Sequence, residues 1–384
     1  MYYNVVDLSF AEFSIKTPHH NMKKLIPIFA LVPLVLLALT PPLDFALDCT
    51  INSTFWLWAV FASGFFTFLF LYQKVSSWLK LLVVWLFISC FLSRAPYISF
   101  TMFWSVIVCA YYYLLCTKIE DFTVVKKTIQ AIFFFFVLLV IMQLFGKDTL
   151  LNFGQQPPDI LHGSTTKVFG SIGNQMISAS LFCILAPFLI FNPLNWILLI
   201  LISFISWSSG AVVSLGAGLS VYAWARFKRM RLLIVIIAIL APILFAWGTG
   251  DFSKSTIRAG RLPVFIKTFQ LCVERPFGYG IATYKVLFPH LCGKKIRIEQ
   301  PGRTWNTSHN DWLQILFETG FIGMFLFIGW LVSIIRKIND PIKLAGVTII
   351  AVNMMIHFPL RICQSAFIIL MFLAFCSKGE SLWE

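Results

Sequence analysis

The stretch TSHNDWLQILFETGFIG, Thr307 to Gly323, crowds a histidine, an asparagine and an aspartate at the mouth of a segment that then turns almost wholly apolar. An imidazole held at such a place can accept a proton from a hydroxyl nucleophile. Ser308, followed three residues later by Asp311, reads as a capping box, so a helix is expected to begin there with His309 in its first turn. The positive end of the helix dipole disfavours imidazolium and should keep the ring neutral near neutral pH. Gly320 comes eleven residues after His309. At ideal pitch that is three turns plus about 20°, which puts both on one stripe. Gly320 and Gly323 would let a neighbouring helix pack closely and hold that stripe in place. The same residues also fit a second reading, an interfacial histidine that only caps a helix.

A second cluster precedes this one. Residues 248–308 carry ten bases (Lys254, Arg258, Arg261, Lys267, Arg275, Lys285, Lys294, Lys295, Arg297, Arg303) against three acids (Asp251, Glu274, Glu299). The resulting +7 is half of the chain's formal +14. Such a patch suits an anionic partner such as a lipid phosphate or pyrophosphate, and it also fits a solvated loop facing anionic lipid. Within it, Leu262, Phe265, Ile266, Phe269 and Val273 recur at helical spacing, with Pro263 in the first turn and Pro276, Gly278 and Gly280 at the end. This predicts an amphipathic helix lying in the membrane interface. Arg258 and Arg261 then stand at or just before its N-terminus, where backbone N–H groups and the dipole already favour an anion and two guanidiniums would complete a forked clamp.

The elements that must position these residues belong to a membrane. Of 384 residues, 59% are hydrophobic, 12% are charged and 41 are phenylalanine, too few charges to keep so much apolar surface in water. Apolar runs at 25–39, 55–72, 129–145, 176–191, 232–247 and 312–335 approach the ~20 residues that a membrane-spanning helix needs. Shorter runs at 81–92, 98–116, 196–206, 211–225, 344–356 and 366–376 bring the expected total to about 12. The fold class is therefore an all-α polytopic membrane protein with one large external loop containing short amphipathic helices. Lys and Arg concentrate in alternate loops (Lys23/Lys24, Lys74/Lys80, Lys118/Lys126/Lys127, residues 226–231, Arg336/Lys337/Lys343, Lys378). By the positive-inside rule, both termini are expected in the cytoplasm. The expected organisation is a tail at 1–21 (or a misplaced start, with Met22 the natural one), nine spans over 22–247, the loop at 248–308, three spans over 309–376 and a tail at 377–384. The first span has no small-residue cleavage site and is expected to be retained. No DxD-like or HExxH metal motif is present. Cys272 and Cys292 both fall in the loop, where an oxidising compartment could join them.

At these residues the chain resembles the O-antigen ligase and polymerase superfamily of lipid-linked glycan glycosyltransferases. HNDWLQILFETGFIG is similar to the family's pattern of a histidine, ten residues and a glycine. GRLPVFIKTFQLCVERPFGYG resembles its arginine-plus-PlfGiG segment, TTKVFGSIGNQMISASLF its earlier Gly-x-x-x-Asn segment, and SSGAVVSLGAG its SRGA turn. The resemblance spans residues 165 to about 335 in the family's order. It implies a metal-free, cofactor-free inverting enzyme of the bacterial inner membrane that takes a glycan from an undecaprenyl-pyrophosphate carrier to an acceptor hydroxyl on the periplasmic side. His309 matches the candidate base, and Arg261, with Arg258 as understudy, matches the arginine that engages the pyrophosphate. Ser209 stands where the family often has arginine, so a second pyrophosphate contact would have to come from Lys167, Arg94 or Arg361. The expected partners are the lipid-linked donor, membrane lipids and a lipid A-core or glycan acceptor, not nucleic acid. An O-antigen ligase leads, ahead of an O-antigen polymerase and a protein O-oligosaccharyltransferase. The contrasting class, a non-enzymatic lipid or polysaccharide transporter, would want polar or broken helices at mid-membrane, whereas the charges here are expected only at the ends of spans.

Overall fold

A computed structural model of the chain describes residues 30–31, 76–120, 122–144, 175–189, 195, 197–199, 209–227, 229, 261–292 and 305–378. Among them every regular element is helical: α1 (Ser77–Phe91), α2 (Pro96–Cys116), α3 (Phe122–Leu144), α4 (Gln175–Leu189), α5 (Ser209–Arg226), α6 (Arg261–Glu274), α7 (Tyr284–Leu291), α8 (Asp311–Ile335), α9 (Pro341–Ile356), a 3₁₀ turn (Pro359–Arg361) and α10 (Cys363–Cys376). Pro96–Cys116, Phe122–Met142 and Asp311–Ile335 are long and apolar enough to cross a membrane, and Ser77–Phe91, Ser178–Leu189, Pro341–Ile356 and Ser365–Cys376 are shorter apolar helices. The described residues are thus all-helical in their regular elements and carry helices fit to span a membrane. The expected total of about 12 spans reaches into segments outside the described residues.

The core forms where small residues let helices close up. α9 packs on α5 and α4, α10 on α2 and α4, and α8 on α1. A Cβ on Gly218 of α5 would lie 2.3 Å from the Ile349 side chain of α9, and one on Gly346 of α9 would lie 2.3 Å from the Phe372 ring of α10. Without a hydrophobic drive between helices in lipid, this close approach and the polar contacts it permits hold the bundle. Ser180 Oγ, for example, donates to Asn353 Oδ1 (2.5 Å) between buried faces of α4 and α9. Phe133, Phe182, Phe188 and Phe372, all fully buried, fill the space around them.

The two ends of the bundle differ. At one, Lys343 Nζ donates to the Phe375 carbonyl (3.1 Å), Lys378 Nζ donates to the Ile119 carbonyl, and Arg336 and Lys337 follow α8. The other gathers the α1–α2 turn, residues 275–283 and the 357–361 segment around the start of α8. α6 has the predicted extent and stops just before Arg275-Pro276. Its apolar residues divide between two faces. Val264, Leu271 and Cys272 are buried in a small core with Tyr284, Phe288 and Phe317, whereas Leu262, Ile266, Phe269 and Val273 lie exposed.

α8 corrects the expectation of one continuous stripe. Gly320, the tenth residue of this 25-residue helix, has φ 70° and ψ −176°, a combination essentially restricted to glycine, and the helix breaks there. The carbonyls bared by the break are taken from outside the helix: Tyr279 N–H donates to Phe317 O (2.9 Å), Gly280 N–H to Glu318 O (2.9 Å) and Trp85 Nε1–H to Thr319 O (2.8 Å). In return Phe321 N–H donates to Pro276 O (2.9 Å). The sequence PFGYG is thus a turn docked on the break. A Cβ at Gly320 would meet Pro276 O at 2.3 Å, so the close approach is to a turn and not, as expected, to a helix. Gly323 does face a helix: Trp85 of α1 lies 3.1 Å from its Cβ position.

Candidate functional site

The start of α8 differs from the expected capping box. Asn310 is the N-cap, its Oδ1 accepting from Leu313 N–H (3.1 Å), and the helix begins at Asp311. His309 therefore precedes the helix instead of lying in its first turn. Its φ of 54° is uncommon for any residue but glycine. Ser308 braces the bend from both sides, with Oγ donating to Asn310 O (2.6 Å) and accepting from Asn310 N–H (3.2 Å). The imidazole leaves the bend edge-on between two rings, Trp305 (centroids 5.8 Å apart) and Phe358 (5.0 Å).

Asp311 has another job. Its carboxylate is fully buried, accepts from Leu360 N–H (2.8 Å) and lies 3.6 Å from Arg361 Nε. Arg361 Nη2 also meets Glu318 Oε2 at 3.0 Å. Glu318 Oε1 accepts from Gln314 Nε2 (3.0 Å), and Gln314 Oε1 accepts from Ser308 N–H (3.2 Å). Asp311, Gln314 and Glu318 fall at i, i+3 and i+7, one face of the helix. They tie the 3₁₀ turn to α8 and, through Ser308, to the bend at His309. Two carboxylates claim the Arg361 guanidinium, which makes it a structural pin and removes it as the spare phosphate contact expected from sequence. Glu318 also stands eight residues into α8, so charge is not confined to the ends of the spans.

Arg261 is the first residue of α6. His357, at the C-terminal end of α9, is within electrostatic reach of both Arg261 and His309. Burial, and then the charges of Arg261 and His309, push the His357 imidazole down to about 3. His357 Nε2 is buried without a hydrogen-bond partner and lies 2.5 Å from where a Cβ on Gly210 would sit. Gly210 follows Ser209 in the SSGA sequence at the start of α5. Gly210 closes on this buried imidazole, and the charges of Arg261 and His309 are felt by it. Trp305 Nε1, beside His309, is likewise buried with no partner. Polar atoms left over in this way mark a place where a ligand's polar groups can be received.

The remaining sequence candidates lie elsewhere. Arg94, between α1 and α2, stands over the Tyr279 ring with Arg275 and makes no described contact with Arg261 or His309. Arg258 and Lys167 lie outside the described residues. Cys272 and Cys292 are both buried and are not joined in a disulfide. Sequence reasoning missed His357, which carried no motif signal. It also missed the Gln314–Glu318 pair, which the i, i+4 spacing inside HNDWLQILFE could have revealed.

Residues 194–328 match the family model described as O-Antigen ligase. This segment, about a third of the chain, is what is similar to that family. The matched segment takes in Gly210, Arg261, the PFGYG turn, His309 and Gly320, and it stops short of His357 and Arg361. A comparison with curated proteins finds no match. The match supports, at a coarse level, an enzyme of the O-antigen ligase type.

Proposed function

We propose that the protein is an O-antigen ligase of the inner membrane, with both termini cytoplasmic and the His309 end of the bundle facing the periplasm. It moves a polysaccharide from undecaprenyl-pyrophosphate to a hydroxyl of lipid A-core, without a metal and with inversion at the sugar carbon. His309 takes the proton of the acceptor hydroxyl. The hydroxyl oxygen bonds to the anomeric carbon as the carbon–oxygen bond to the pyrophosphate breaks, and the electron pair leaves with the phosphate. The departing charge needs fixed cations, which is the role given to Arg261, with Arg258 and Lys167 as further candidates. The end bearing Lys343, Arg336, Lys337 and Lys378 is the cytoplasmic one by the positive-inside rule.

The observation that carries this reading is the bend at His309. A histidine held at φ 54° between two aromatic edges, sharing buried His357 with Arg261, is strained backbone of the kind that clusters at active sites. The broken helix α8 is what a transporter would show, but in a transporter the bared carbonyls coordinate cargo. Here Tyr279, Gly280 and Trp85 occupy the carbonyls of Phe317, Glu318 and Thr319, which favours an enzyme.

The test is a gel of lipopolysaccharide from a deletion strain, read beside its carrier-lipid pool. A ligase leaves bare core and long chains retained on the carrier. Core capped by single repeats would make it a polymerase instead. Unchanged lipopolysaccharide with loss of a protein-linked glycan would make it a protein O-oligosaccharyltransferase.

A further inference from the structure

The PFGYG turn holds a second basic cluster, built on Arg94 and Arg275, to which the proposed transfer step assigns no role. Arg275, just after α6, donates from Nε to Gly278 O (2.8 Å) and from Nη2 to Leu92 O at the end of α1. Arg94 donates its backbone N–H to Tyr279 O (3.0 Å), and Ser93 Oγ donates to the same carbonyl (3.1 Å). Ser99 Oγ donates to Ile281 O (3.0 Å), so the α1–α2 turn and the PFGYG turn are fastened together. Both guanidiniums lie over the Tyr279 ring, at 5.9 Å for Arg94 and 5.5 Å for Arg275, while Phe317 stacks on that ring at 4.4 Å.

Two like charges are therefore fixed side by side, and Arg94 lowers the proton affinity of Arg275 in addition to the effect of its burial. Among the described residues no carboxylate bridges either one. The adjacent Glu274 instead lies 4.0 Å from Lys267. Repulsion between neighbouring guanidiniums is relieved by an anion placed between them. The N-terminus of α2 adjoins Arg94, has no side-chain cap and begins with Pro96, so its dipole adds to the same field.

The surroundings say what kind of anion. Phe91 and Tyr97 beside Arg94 are 64% and 85% exposed, and Val273 and Phe277 beside Arg275 are exposed as well. Val273 closes the stripe Leu262, Ile266, Phe269 on α6, and Phe277 reaches Trp85 of α1 (centroids 6.5 Å apart). An unneutralised guanidinium pair at the rim of a continuous apolar face matches a phosphate that carries hydrocarbon chains. We infer that Arg94 and Arg275 bind the headgroup phosphate of an anionic bilayer phospholipid whose acyl chains lie along the exposed stripe of α6. Because the same turn docks on the α8 break at Gly320, this lipid fastens the segment below His309 to the bilayer.

Native mass spectrometry of the full-length protein, extracted from vesicles of phosphatidylglycerol and phosphatidylcholine, tests this. The wild type should retain phosphatidylglycerol. Arg94→Gln, which keeps the backbone bond to Tyr279, should bind it about tenfold more weakly, the worth of one charge-assisted contact. Arg94→Lys should fall between the two. Unchanged unfolding temperature in lipid-free detergent shows that Arg94→Gln folds, and Arg275→Lys serves as the second variant. Equal retention by wild type and both variants would overturn the inference. So would displacement of the lipid by millimolar inorganic phosphate, which would make this a free-anion site. Preference for a polyprenyl phosphate over phosphatidylglycerol, when both are offered, would also overturn it.

Discussion

Two segments meet at Asn310 and are built on opposite terms. On its C-terminal side, Asp311, Gln314 and Glu318 are buried and paired through Arg361, Leu360 N–H and one another, with Asp311 Oδ1 and Arg361 Nε facing each other at 3.6 Å, beyond hydrogen-bond distance. On its N-terminal side, His309 is strained in the left-handed region, and its neighbours Trp305 and His357 keep polar atoms without partners. A strained backbone persists only when its surroundings over-determine it. The contrast teaches that the ion-paired half of α8 supplies that determination through Gln314 and Ser308.

The largest way to break the contrast is to remove the pin. Arg361→Met strands two buried carboxylates and should cost about 3–5 kcal/mol, seen as a loss of unfolding temperature and of protein in the membrane. Adding Asp311→Asn and Glu318→Gln should recover most of that loss, because it is the uncompensated charges that destabilise. Next come the reacting groups: Arg261→Ala should lower transfer by about 10²–10³-fold with the fold intact, with Arg261→Lys between it and the wild type, since lysine keeps the charge but not the fork. A kinetic assay in reconstituted vesicles checks both. Gly320→Ala should then cost about 1–3 kcal/mol from its dihedral angles alone, besides the contact with Pro276 O. The strain at His309 can be measured by comparing His309→Gly with His309→Ala: the glycine variant should be the more stable by about 1 kcal/mol, although both lose the imidazole.

A further effect concerns pH. His357 is neutral in the fold because its value is pushed down to about 3, whereas in the unfolded chain it titrates near the ordinary 6.5. The unfolded state therefore takes up a proton first. The stabilising effect of the neutral ring is complete above 6.5 and is lost as pH falls from there toward 3. Arg261 and His309 push in the same direction. The stability difference between wild type and His357→Gln should shrink on acidification over that window. A difference independent of pH would place His357 in contact with water or with a carboxylate.

Much of this was legible in sequence because periodicity and breakers are local. The extent of α6 and its stop before Pro276 follow from residue order alone. The start of α8 was misread because Ser308–Asp311 and Asn310 compete for the same cap, and only the long-range partner Arg361, fifty residues on, takes Asp311 away from it. Helical geometry put Gly320 on the stripe of His309, but the PFGYG turn supplies replacement hydrogen bonds, and so a break costs little there. His357 was invisible for a similar reason. Its role depends on Gly210, Arg261 and His309 arriving from three other segments.

The central claim is that His309 is the base for the acceptor hydroxyl. It is tested most directly by purified His309→Ala in vesicles supplied with lipid-linked donor and acceptor. Transfer should fall by about 10²–10⁴-fold, the range a positioned general base supplies, while the unfolding temperature stays near that of the wild type and added imidazole restores part of the rate. Near-wild-type transfer by the folded His309→Ala protein would contradict the account and return the histidine to a structural part in the bend before α8.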